Sequence, residues 1–104
     1  MEIRVSGSGN AKQALIEAAV NLGKLKEVRH ANNFLTDDAR QIFPRTIFVF
    51  EKDEVIVFDS FTNGYVGAGP NCLYESLVHF GVEDDKAKDL AYEPVTEFVA
   101  SFEA

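Results

Sequence analysis

The chain has no tryptophan, one cysteine, one methionine and three prolines in 104 residues. It also has no run of about 18 apolar residues, the length that would begin to read as a membrane span. Each shortage excludes something. The lone thiol, Cys72, rules out an internal disulfide, and without a C-x-x-C pair or a Cys/His cluster no structural zinc is indicated. The opening "MEIRVSGSGN" puts an acid where a signal peptide needs a basic region, so the expectation is a cytoplasmic protein with no membrane partner. With 46% hydrophobic residues the composition is that of a globular domain, not a disordered or collagen-like chain. One domain over residues 1–104 is expected, with enough buried surface (roughly 60% of what the unfolded chain exposes) for one core.

The formal net charge is −7. Residues 1–50 carry seven basic and five acidic side chains, while 51–104 carry three and twelve, so the acidity belongs to the second half. Such a chain is repelled by phosphate backbones unless its basic groups converge, which disfavours nucleic acid as a partner. An acidic face suits a basic protein surface, although the same surplus also serves solubility alone.

Along the chain, Ile3 and Val5 alternate with Glu2 and Arg4 as a short strand that dissolves into Ser6-Gly7-Ser8-Gly9. Asn10 is an apt N-cap for a helix whose apolar face runs through Ala11, Leu15, Ala18 and Leu22, with Gly23 ending it. "KLKEVRHA" fits a further helix or a polar strand. Thr36 followed by Asp37 and Asp38 predicts a short helix over 37–42, stopped before Pro44.

Two β-branched and aromatic runs, 47–50 and 55–58, flank the polar "EKDE" and read as a hairpin. Both runs are apolar on both faces, so the hairpin is central and either covered twice or covered once and used for contact. Pro70 suits the first position of a helix with Leu73, Leu77 and Phe80 on its apolar side and Gly81 at its end. The acidic "VEDDKAKDLAYE" allows a helical turn or two, and "PVTEFVASF" fits strand or helix, its Val, Thr and Phe favouring strand. The resulting fold class is α+β, a two-layer α/β sandwich with a small mixed sheet, a central hairpin and two or three packed helices.

Between the hairpin and the second helix lies "FTNGYVGAGPNCLYESL", with glycines at 64, 67 and 69. As structure, Asn63-Gly64 closes a tight turn, Gly67 and Gly69 allow a second reversal, and Pro70-Asn71 start the helix. As function, such a loop presents bare amides and a positive helix end to an anion. "VSGSGN" repeats the strand, loop and helix order, so Ser8 and Asn10 join Asn63, Gly64, Tyr65, Gly67, Gly69 and Asn71 as candidate ligand-binding residues, Tyr65 stacking on a base. Neither loop is a P-loop, and glycines at 64, 67 and 69 fail G-x-G-x-x-G. The residues "NGYVGAGPNCL" resemble small, mostly uncharacterised bacterial and phage-encoded proteins with a Gly-Tyr-x-Gly-x-Gly-Pro loop opening a helix. That resemblance covers about a tenth of the chain. It implies a shared strand-loop-helix unit and mobile-element or host-defence biology, with no chemistry attached to particular positions.

Catalytic candidates are few. Cys72 near a helix start, with His30 and His79 as bases, is the best enzyme arrangement on offer, against the common fate of a lone cysteine as a small buried residue. The pairs Asp37-Asp38 and Asp84-Asp85 look like capping acids and a solvated connection, and no metal or other cofactor is called for. Nine phenylalanines are many for one core, so an aromatic patch beside acids is the alternative to full burial. The leading expectation is a non-enzymatic, acidic protein-interaction module of inhibitor, immunity or accessory-subunit type. Its partner is another protein or a second copy as homodimer, met through Phe61, Tyr65, Asp84 and Asp85. An anionic-ligand or nucleotide binder using loop 63–71 is second, and a cysteine-dependent enzyme third.

Overall fold

The computed structural model describes residues 1–35, 42–93 and 97–102. The order is β1 (Glu2–Ile3), α1 (Ser8–Ala18), β2 (Leu25–Leu35), β3 (Ile42–Phe50), β4 (Glu54–Phe58), α2 (Ala68–His79), α3 (Asp84–Tyr92) and β5 (Glu97–Ser101). Among the described residues, these make three helices and one five-stranded mixed sheet, ordered β1-β4-β3-β2-β5. β1 runs parallel to β4 and every other neighbour pair is antiparallel. The α+β class is therefore that of the molecule.

The sheet's two faces are unlike because directly opposed residues point the same way. Val28, Phe48 and Val55 lie in one cross-strand row, and Ala100 extends it on β5. All four are buried, and Val28, Phe48 and Val55 join a core with Ala11 and Leu15 of α1, Leu73 and Leu77 of α2, and Ala87 and Ala91 of α3. The adjacent row, Ile56, Ile47, Arg29 and Val99, is half-buried to exposed. The hairpin is thus central and covered by helices on one side. On the other side Phe58 is shielded by Arg4, whose guanidinium lies 3.9 Å from its ring centre.

Several boundaries differ from expectation. α1 begins at Ser8, with Gly7 as its N-cap at φ 90°, a conformation that favours glycine; Asn10 sits inside the first turn, its amide donating to the Ser6 carbonyl (3.0 Å). The same helix stops at Ala18, so Gly23, at φ 83°, belongs to the entry into β2. Pro70 is the third residue of α2, and its missing amide is still harmless because first-turn amides lack helical partners. "KLKEVRHA" and "EFVAS" are strands, since each must pair across the sheet. The acidic connection is a full helix, α3. The helix expected over 37–42 lies outside the described residues except for Ile42, which begins β3.

Candidate functional site

The glycine-bearing loop is fastened to the fold by its own polar groups. Asn63, 2% exposed, donates its side-chain amide to the Leu90 carbonyl (3.1 Å), and its backbone amide to Asn32 Oδ1 (3.0 Å). Asn32 Nδ2 returns a bond to the Asn63 carbonyl (3.0 Å), and the Gly64 amide reaches the Ala91 carbonyl (2.9 Å). Asn63 Oδ1 is buried without a partner among the described residues. Gly64 takes φ 93°, as an Asn-Gly turn requires. Gly67, the N-cap of α2, is extended, and a Cβ there would meet only the movable Tyr65 ring. Gly69 is buried against Thr62: a Cβ would stand 2.1 Å from its Oγ1 and 3.2 Å from its backbone nitrogen. This glycine is required by close approach.

A polar chain lies behind the loop. His30 is 3% exposed and touches Thr46 Oγ1 through Nδ1 (2.7 Å) and Asn32 Oδ1 through Nε2 (2.7 Å). Because Asn32 Oδ1 can only accept, Nε2 must carry the proton, leaving Nδ1 to accept from the Thr46 hydroxyl. Burial pushes the His30 pKa below its usual value, with the Asn32 bond opposing. Neither nitrogen is free for catalysis.

The other loop is brought alongside. Ser8 Oγ donates to the Ser60 carbonyl (2.8 Å) and Ser60 Oγ to the Val5 carbonyl (3.0 Å). The first loop is thus tied to the chain at Ser60, just ahead of the second. Tyr65 is 52% exposed, its hydroxyl sharing a hydrogen bond with Thr62 Oγ1 (2.7 Å). Phe61 is not on the surface: it is 1% exposed, edge-on to Phe48, so it is unavailable to a partner.

The surface aromatics that sequence reasoning missed are on α2 and α3. Tyr74 and Tyr92 are half-buried with ring centres 5.8 Å apart. Tyr92 donates its hydroxyl to Asn71 Oδ1 (2.6 Å), and Tyr74 donates to Asp84, which also pairs with Lys88 (3.0 Å). The bond from Tyr74 holds the Asp84 carboxyl below its usual range and in turn raises the phenol. Glu75, Asp85 and Asp89 are exposed on the same two helices, Asp89 and Asp85 about one and two turns before Tyr92, and Glu75 meets Lys12 of α1 (2.8 Å). The i, i+3, i+4 spacing of Asn71, Tyr74 and Glu75, opposite Leu73 and Leu77, was the available signal. The phenylalanines are instead absorbed: each one whose side chain is described is buried or half-buried.

Cys72 is half-buried on α2, and burial raises its thiol pKa, Glu75 adding to the effect and Lys12 opposing it. A nucleophile needs the opposite shift. His79 is two helical turns further along, against Phe80 (ring centres 4.9 Å apart). Among the described residues no group of three or more His, Cys, Asp or Glu could hold a metal ion, and no helix is long and apolar enough to cross a membrane. Comparison of the chain with family models, with curated proteins and with solved structures finds no match.

Proposed function

We propose that this chain is a non-enzymatic protein-interaction module, of inhibitor, immunity or accessory-subunit type, that docks a basic protein surface on its α2–α3 face. The observation carrying this reading is the coincidence of the Tyr74–Tyr92 pair with Glu75, Asp84, Asp85 and Asp89. Tyrosine supplies contact area at low entropic cost, and the two hydroxyls, anchored to Asp84 and Asn71, hold the rings in place before a partner arrives. The surrounding acids would steer a basic partner and select against acidic ones. A ligand role for loop 63–71 has less support, because the amides of Asn63 and Gly64 are already bonded within the chain and Pro70 has none to give.

The test uses tagged protein for capture from its source cells, followed by association kinetics of the captured partner. Asp85→Lys with Asp89→Lys should slow association at low salt by roughly tenfold and flatten its salt dependence. Tyr92→Ala should act mainly on dissociation. Association unchanged by the charge reversal, or dissociation unchanged by Tyr92→Ala, would overturn the reading.

A further inference from the structure

A second surface feature lies at the end of the sheet where β2 begins and β5 ends, under the turn between α2 and α3. There a cleft of about 630 Å³ opens to solvent, within the size range of small-molecule sites. Leu25 and Val82, 5% and 7% exposed, are its deeply buried lining, and the half-buried rings of Phe80 and Phe102 give it aromatic surface. Among the described residues the lining carries two lysines, Lys24 and Lys86, against one carboxylate, Glu83, and Lys24 also has Glu51 as a charge neighbour. The lining is thus net positive in a protein of net charge −7. Lys86 is partly oriented already: its Nζ lies 4.8 Å from the centre of the Phe102 ring and donates to the Ser101 carbonyl at a long 3.4 Å.

We propose that this cleft is a binding site for a small molecule with a planar apolar body and a single anionic group, such as an aromatic carboxylate or sulfonate. The body would lie against Phe80 and Phe102 above Leu25 and Val82, where it removes apolar surface from water and meets ring faces and edges. The anionic group would take Lys24 and Lys86, the second giving up its long bond to Ser101 for a charge-assisted one. Glu83 selects the charge number, since a dianion placed between the lysines also approaches its carboxylate. The site is separate from the α2–α3 tyrosine face and does not depend on that face's role.

Anilinonaphthalene sulfonate has this chemistry and serves as the probe, followed by amide chemical shifts in the intact folded protein. The expected result is saturable binding with shifts centred on Leu25, Gly81, Val82, Ser101 and Phe102. Lys86→Glu together with Lys24→Glu, both at exposed positions, should weaken binding at least roughly tenfold, the size of one lost charge-assisted contact. Uncharged phenylnaphthylamine should bind correspondingly worse than the sulfonate. Shifts centred elsewhere, failure to saturate, or equal affinity for the charged and neutral probes would each overturn the proposal.

Discussion

The two glycine-bearing loops look alike in sequence and behave differently in the fold. "SGSGN" and "NGYVGAGPN" each join a strand to a helix start. In the first, Gly7 supplies a positive φ and a Cβ on Gly9 would meet nothing within 4 Å. In the second, Gly64 supplies a positive φ while Gly69 makes room for Thr62. Glycine therefore has three meanings here: a turn, a close approach and a dispensable site. Only the surroundings tell them apart.

The comparison breaks most sharply at Gly69. Gly69→Val should destabilise the protein by about 3 kcal/mol or more, because Thr62 would have to move with its backbone; urea unfolding would measure it. A tolerated valine would mean that loop and helix separate easily. The variant therefore reports on folding before it reports on any ligand, and Gly67→Val, which displaces only the Tyr65 ring, is the cleaner probe of binding.

Acid tests the polar chain that anchors the second loop. His30 is neutral when folded and its pKa is depressed, so the unfolded chain binds the extra proton first. Its contribution is complete above the unfolded value near 6.5 and is lost as pH falls toward the lower folded value. The slope from this one group cannot exceed about 1.4 kcal/mol per pH unit. Urea midpoints between pH 7.5 and 5.5 should show the loss, and His30→Gln should lack it.

Smaller effects separate the remaining glycines. Gly64→Ala, forced to keep φ 93°, should cost about 1 kcal/mol in thermal or urea unfolding. Gly9→Ala should go the other way, stabilising by about 0.5 kcal/mol, because it sits within α1 in open space. Should Gly9→Ala prove as harmful as Gly64→Ala, the first loop is held by something other than its turn.

How far the sequence spoke follows the same division. α1, the β3–β4 hairpin and α2 could be read because their apolar periods are sustained over two turns or four residues. β2 could not, since Lys26, Glu27 and Arg29 hide its alternation and its identity is set by partners on both sides. α3 was underestimated because its core contact is made by small residues, Ala87 and Ala91, that carry little periodic signal. Phe61 was misjudged as a contact residue because an aromatic beside a turn looks the same whether it faces in or out. Tyr74 and Tyr92 belong to one surface only because α2 and α3 pack antiparallel, a relation that no local pattern contains.

The strand order has a kinetic consequence. β2, β3 and β4 are consecutive neighbours, whereas the flanking strands β1 and β5 are recruited from positions far away in the chain. Loop closure makes such pairings slow to form, so the central meander should assemble early and the flanks join late. Once folded, amides of β5 should exchange with solvent through partial openings that leave β2 to β4 protected. Each such opening removes Ser101 and Phe102 from the cleft, so a molecule seated there would act as a clasp on the last strand to close.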